Sequence, residues 1–431
     1  MHDYHLHLEH ITRVEGHGNI VINIKKGRIE ELRMDIVESP RFFEAMVMGR
    51  NWDEVAHITS RICGICAVTH TTTSLKAIEE ALGVIPSDQT IKLRKLMLHG
   101  EYIQSHILHL YFLSAPDFFG AKSVFGMLPD HKEVVARGMR LKKMANELCA
   151  LIGGRHVHPC SMVVGGFTAI PEPEKLLSSR DRLVEARPDM EATVELFKRL
   201  KSPDFHREVE YVSLTHPEEY ALYDGPIKSS LNPPGADTRP PDYLDRVKEY
   251  IVPHSTAKHA HSIGETYRVG ALARIHNNYE RLHPRAKEAA EYLGVKPPCH
   301  NPFMNNQAQV VEGVHCLEDS IKIIDALLKE GLREEKLDIR PREGRGVGVT
   351  EAPRGTLFHE HRLDDKGTVT YGNYIIPTAQ NLANIEGDLW KWVPEILDRP
   401  KEEITLSVEM LVRSYDPCIS CASHLMEVRF V

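Results

Sequence analysis

"RICGICAVTH" occupies Arg61–His70, and "DPCISCASH" occupies Asp416–His424 near the other end of the chain. Each stretch holds a Cys-x-x-Cys pair with a histidine just downstream, and most of the sequence lies between them. Four thiolates can hold one soft or borderline metal tetrahedrally, so the plainest reading is structural zinc. Zinc ribbons, however, keep their two pairs within about 15–20 residues, because the metal organises a small local loop. Pairs this far apart predict a buried catalytic metal clasped at the centre of one fold. The first and last segments of the chain must then meet in its core.

The rest of the composition is compatible with such a fold. At 431 residues the chain is long enough to bury a large core, and 42% hydrophobic with 26% charged residues is ordinary for a globular protein. A net charge of −8 argues against a nucleic-acid surface. No run approaches the ~18 apolar residues of a membrane span. The first residues, "MHDYHLHLEHITRVEG", are polar and lack the apolar core of a secretory signal, so a cytoplasmic location is the expectation. In a reducing compartment, Cys-x-x-Cys points to metal or redox chemistry rather than to a disulfide framework.

Periodicity outlines the architecture. Residues 18–37 alternate around Lys26-Gly27 and predict a β-hairpin. Ser87-Asp88 is an N-cap signal for a long helix reaching about Leu113, with Leu93, Leu96, Ile103, Ile107 and Leu110 at helical spacing. Further helices are expected at 130–152, 173–200, 280–293, 305–331, 378–396 and 402–413. The segment 204–250 is Pro-rich with short strand-like pieces. Residues 346–376 read as a second hairpin turning at Asp365-Lys366-Gly367. The expected fold is mainly α with small β additions: one domain over 1–431, a large helical-bundle core with peripheral hairpins.

The flanking residues sharpen the thiol reading. R-x-C-G-x-C-x-x-x-H followed by D-P-C-x-x-C-x-x-H resembles the two cysteine signatures of nickel–iron hydrogenase large subunits. "RVEGHG" (Arg13–Gly18), "PRFFEAMVMGR" (Pro40–Arg50), "HLYFLSAPD" (His109–Asp117), "GGRHVHP" (Gly153–Pro159), "EAPRG" (Glu351–Gly355) and "IIPTAQN" (Ile375–Asn381) are similar to further landmarks of that family, in its order. The resemblance spans almost the whole chain. Within the family it is most similar to the cytoplasmic multisubunit enzymes linked to NAD(P) or a similar soluble carrier.

The resemblance implies the hydrogenase large-subunit fold and the reaction H₂ ⇌ 2H⁺ + 2e⁻ by heterolytic cleavage. It implies Cys63 and Cys418 as terminal nickel ligands, with Cys66 and Cys421 bridging to an iron that also carries carbon monoxide and cyanide. Arg354 would face the open side of the metals, and Thr378 would hydrogen-bond a cyanide. Asp117 and Asp416 would orient Arg354 and the metal-bound segment. The proton would pass from the Cys418 thiolate or Arg354 to Glu15. Glu44, His424 and a carbonyl within Tyr374–Ile376, assigned to Ile376, would hold magnesium or a similar ion. Leu425–Val431 would be a tail cut after His424 once nickel is loaded, which implies a maturation endopeptidase and nickel-insertion factors.

Other residues receive plainer readings. His109, His156, His158 and the group His254, His259 and His261 are expected to pack or hydrogen-bond rather than bind metal. Cys149, Cys160, Cys299 and Cys316 have no cluster spacing and are expected to be buried small hydrophobes. With no iron–sulfur spacing and no dinucleotide fingerprint, electrons would leave through an iron–sulfur small subunit, then a diaphorase or other electron-transfer subunit. A structural zinc protein would have no need of Glu15 or Arg354. A respiratory-complex subunit of related fold would lack the four thiols. A hydrogen-sensing regulatory subunit would share every ligand and differ in its partners.

Overall fold

The computed structural model describes residues 4–335 and 338–423. The helix Asn305–Glu330 is buried along most of its length and forms the axis of the bundle. Around it pack the helices Asp88–Leu108, Pro173–Glu185, Arg187–Arg199 and Pro284–Leu293. The stretch 173–200 is two helices rather than one. Pro188 lies in the first turn of the second, where its missing N–H costs nothing but prevents the first from continuing. Ser87 does cap the long helix: its Oγ accepts the Thr90 N–H at 3.1 Å. Beyond Leu108 the helix widens into a π-helical segment, His109–Ser114, which leads the chain toward Asp117. Among the described residues no helix is long and apolar enough to cross a membrane.

The first hairpin is present as strands Gly18–Lys25 and Arg28–Ile36, with positive φ at both Lys26 and Gly27. That is the backbone a two-residue primed turn requires. A third strand, Tyr4–Leu8, pairs antiparallel with Gly18–Lys25.

The region 346–376 departs further from expectation. It is a three-stranded antiparallel sheet, Gly344–Ala352, Gly355–Leu363 and Val369–Ile375, because the chain already doubles back at Pro353-Arg354. Ala352 stands opposite Gly355, so Arg354 sits on the tip of a two-residue turn. The sheet is also inside the helical body. Strand Gly344–Ala352 lies against the helix Ala67–Leu82, and a β-carbon on Gly346 or Gly348 would come 1.9 Å from the carbonyl oxygen of Ala77 or Thr73. Only glycine allows that approach, and it brings the Arg354 turn close to the helix that begins at Cys66.

Candidate metal centre

Cys63 follows a 3₁₀ turn, Ser60–Ile62, and Cys66 sits at the N-cap of the helix Ala67–Leu82. Cys418 occupies the equivalent place before the short helix Ile419–Ala422, which contains Cys421. All four cysteines are buried, and their sulfurs lie within 4.8 Å of one another. Across the two segments, the Cys63 sulfur is 3.6 Å from that of Cys418, and the Cys66 sulfur is 3.9 Å from that of Cys421. The Cys418 and Cys421 sulfurs are close neighbours, and four-thiolate ligation would use both as thiolates. The Cys63 sulfur accepts the backbone N–H of Ile65 at 3.3 Å and of Cys66 at 3.2 Å. Its hydrogen bond with the Cys66 thiol pulls the Cys63 thiol below its ordinary pKa, helped by the Arg354 charge, and pushes Cys66 well above its own. This donor set is soft, compact and shielded from water, and it fits a thiophilic metal centre.

Three residues hold the two segments in place, and one of them, Arg41, touches both. Glu15 forms an isolated parallel bridge with Cys418: its carbonyl accepts the Ile419 N–H at 2.9 Å, and its Oε2 accepts the Ser420 N–H at 3.1 Å. Gly16, at φ +84°, makes this possible, since a β-carbon there would lie 2.8 Å from the Ser420 nitrogen and from the Ile419 side chain. The Arg41 guanidinium donates to the carbonyls of Ile62 and Ser420, the residues just before Cys63 and Cys421. Glu101, buried on the long helix, accepts the N–H of Val68 at 2.7 Å and of Thr69 at 3.1 Å. It caps from outside a helix that Cys66 itself leaves uncapped. Burial pushes the Glu101 carboxyl up to about 8 against the pull of these bonds. Arg41 lies in the landmark Pro40–Arg50 but without an expected role, and Glu101 does not stand out in the sequence, because their partners are backbone groups remote along the chain.

Arg354 projects from its turn into the same region and is 4% exposed. It donates to the Asp416 carbonyl at 2.7 Å, to Asp416 Oδ1 at 2.8 Å and to Ser105 Oγ at 3.3 Å. Burial opposes its charge, but Asp416 and then the Cys66 and Cys63 sulfurs hold its pKa above the ordinary value. Gln309 donates to the other Asp416 oxygen at 3.0 Å. Thr378 lies at the start of the helix Pro377–Trp392, and its Oγ1 accepts the Cys418 N–H at 2.9 Å, leaving its own hydroxyl proton to donate.

Asp117 does not reach Arg354. Its carboxylate pairs with Arg413 at 2.8 and 2.9 Å and with Arg13, while Arg413 also donates to the Thr12 carbonyl at 2.9 Å. Asp117 therefore ties the "RVEG" loop to the helix Lys401–Ser414 that leads into Cys418, and its role is one of positioning. Arg413 and Asp117 are almost fully buried, so Asp117→Ala leaves the Arg413 guanidinium with only the Glu409 carboxylate, at 3.3 Å, as counter-charge. The expected loss is up to about 3–5 kcal/mol of stability, seen as a lowered denaturation midpoint of the purified complex. An unchanged midpoint would mean that the arginines find equivalent partners elsewhere.

The second expected ion site is only partly within the described residues. Glu44 is buried on the short helix Phe43–Val47, which packs against strand Val369–Ile375. The Tyr374 hydroxyl is held above its ordinary pKa by burial and then by the Glu44 charge. Ile376 is buried, and its carbonyl accepts the Gln380 N–H at 3.3 Å. His424 and the tail Leu425–Val431 lie outside the described residues.

Among the remaining residues, His109 hydrogen-bonds Gln309 at 2.6 Å and the Arg413 carbonyl at 2.7 Å. Cys149 and Cys316 are buried, Cys299 is half-buried, and Cys160, expected inside, is exposed.

The chain matches the family model described as nickel-dependent hydrogenase over residues 41–137 and 206–424. It is 36% identical to the alpha chain of sulfhydrogenase 1 from Pyrococcus furiosus, across 98% of both chains. It is 32% identical to the corresponding chain of an F420-non-reducing hydrogenase from Methanothermobacter marburgensis, across 98% of this chain and 95% of the relative. Its fold superposes on a solved NAD+-reducing NiFe-hydrogenase in the H2-reduced state with a TM-score of 0.88 and 30% identity, covering 98% of this chain and 99% of the other. The NiFeSe hydrogenase of Desulfovibrio vulgaris Hildenborough shares the fold at a TM-score of 0.75 and 24% identity, across 98% of this chain and all of that one. With the similarity running along nearly its whole length, the protein belongs to the nickel-dependent hydrogenase family, as a large catalytic subunit.

Proposed function

We propose that Cys63, Cys66, Cys418 and Cys421 hold a nickel–iron centre whose iron carries carbon monoxide and cyanide, and that hydrogen is split and formed there. The observation that carries this reading is the meeting of four buried sulfurs from the two ends of the chain beside a buried guanidinium. Cys63 and Cys418 lie 3.6 Å apart and Cys66 and Cys421 3.9 Å apart, so all four sulfurs would be able to hold one centre. When bound, the metal pair supplies the Lewis acidity that makes heterolytic cleavage of hydrogen possible and takes up the electrons.

This chain's residues handle the proton and the surroundings. Arg354, held by Asp416, keeps a fixed positive charge at the site, and a guanidinium so paired is a poor proton acceptor. The Cys418 sulfur is therefore the better base of the two candidates. Glu15, bridged to the Cys418 segment through the backbone, is the next acceptor. Thr378 offers a hydroxyl donor beside Cys418, suited to a cyanide nitrogen. Glu44, His424 and the Ile376 carbonyl would hold magnesium or a similar ion.

The partners follow from the remaining thiols. Among the described residues no second cysteine cluster exists, so electrons pass to an iron–sulfur small subunit. From there they would reach NAD(P) or a similar soluble carrier through a diaphorase or comparable subunit, in the cytoplasm. Nickel delivery by insertion factors and removal of Leu425–Val431 by a maturation endopeptidase belong to the same reading.

Infrared spectroscopy and elemental analysis of the purified complex test it together. The expected result is sharp bands from metal-bound carbon monoxide and cyanide, with about one nickel per large subunit. Zinc in place of nickel, with no such bands, would overturn the assignment.

A further inference from the structure

The histidine-rich stretch "HSTAKHAHS" (His254–Ser262) reads in sequence as packing and hydrogen-bonding residues, but the fold brings two of them onto one carboxylate. His254 lies in the loop between strands Lys248–Tyr250 and His259–His261, and His259 opens the second strand. Glu386 reaches them from the helix Pro377–Trp392. The His254 Nε2 is 3.1 Å from one Glu386 oxygen, and the His259 Nε2 is 3.4 Å from the other. One ligand atom from each residue falls within 4.8 Å of the others.

Two features distinguish this cluster from an ordinary histidine–carboxylate pair. His259 has a side-chain exposure of only 2%, yet neither of its ring nitrogens makes a well-aligned hydrogen bond among the described residues. Its Nε2 has only the 3.4 Å contact to Glu386, and a cation bound there would give this buried nitrogen a firmer partner. The Glu386 carboxylate, in turn, is oriented by a second partner, the Met34 backbone N–H at 2.9 Å from the neighbouring strand Arg28–Ile36. A backbone donor behind a carboxylate is the usual way in which a metal ligand is fixed.

The dimensions also suit a cation. Ligand atoms bound at about 2.0–2.1 Å around a tetrahedral zinc stand about 3.3–3.4 Å apart, close to the two nitrogen–oxygen separations here. His254 and Glu386 are partly exposed, at 25% and 18%, which leaves a route for the ion and room for water to complete its coordination. Two imidazoles and one carboxylate form a borderline donor set, unlike the soft thiolates of the catalytic centre.

We propose that His254, His259 and Glu386 form a further metal site for zinc or a similar borderline divalent cation, separate from the cysteine cluster. The ion would strap the 251–258 loop to the helix whose first turn carries Thr378 against Cys418.

The test uses the purified complex, stripped with a chelator and titrated with zinc chloride against a chromophoric competitor. One zinc per large subunit should bind at this site, and His254→Asn or Glu386→Gln should weaken that binding by at least 10–100-fold. Cobalt(II) should give visible bands typical of nitrogen and oxygen ligation in the wild type, and lose them in both variants. His254→Asn alters a partly exposed loop residue, and circular dichroism checks that each variant is folded. Equal zinc affinity and equal cobalt spectra in the wild type and both folded variants would overturn the site, as would a wild type that takes up neither metal there.

Discussion

Cys421→Ser should reduce hydrogen turnover to background and release nickel from the protein. A serine oxygen is a hard donor whose proton is not lost near neutral pH, so it cannot replace a soft thiolate in holding a thiophilic metal. Among the described residues the ligand atoms grouped with it are the three remaining sulfurs, and Arg354 stays protonated. The fold should survive, because the sulfur-to-oxygen change removes little volume and the Arg41, Glu15 and Thr378 contacts to this segment are made to backbone groups. Loss of nickel by elemental analysis with an unchanged circular dichroism spectrum is therefore the expected pair of results. Cys160→Ser, at an exposed thiol outside the cluster, is the control and should keep full activity. Wild-type turnover in Cys421→Ser would remove that sulfur from the ligand set.

The contrast between these two cysteines is legible in spacing alone. A Cys-x-x-Cys pair brings its sulfurs together within one turn of chain, so the sequence already carries half of the site. What spacing cannot carry is the meeting of the halves. Glu101 and Ser105 are indistinguishable in sequence from ordinary helix residues, and the landmark that contains Arg41 does not say what its side chain touches. Each becomes informative only when a partner hundreds or tens of positions away is brought alongside.

Asp117 illustrates the same limit in another form. Its place in "HLYFLSAPD" marks it as a site residue, but the π-helical segment before it turns its carboxylate toward Arg413 and Arg13 instead of Arg354. The turn at Pro353-Arg354 escapes a sequence reading for a local reason. It lacks the Asn-Gly or Asp-Gly signal of a two-residue hairpin, and its conformation depends on the sheet packing tightly against a helix through Gly346 and Gly348. The long helices, by contrast, are legible because their apolar periodicity and the Ser87 cap are local.

Glu15→Gln separates proton transfer from metal binding. The side chain keeps its length and keeps an oxygen able to accept the Ser420 N–H, and the backbone bond from Ile419 is untouched. The Cys418 segment should therefore stay in place, and the infrared bands of the metal ligands should persist. What the amide cannot do is accept a proton at neutral pH and pass it on. A relay group has to lie within hydrogen-bond reach of its donor or one water away, and the backbone bridge with the Ser420 bond brings Glu15 onto the segment that carries Cys418. Losing such a group typically costs on the order of 10²–10⁴-fold in rate. Hydrogen turnover and exchange of deuterium with solvent protons should both fall by that order, because both require the proton to leave the site. The two readouts matter together: a general loosening of the loop would also disturb the infrared bands, whereas a blocked relay leaves them unshifted. Glu15→Asp, which keeps the carboxylate but shortens it by a methylene, should recover part of the exchange. Normal deuterium exchange in Glu15→Gln would mean that protons leave by another route and that Glu15 serves only to anchor Ser420.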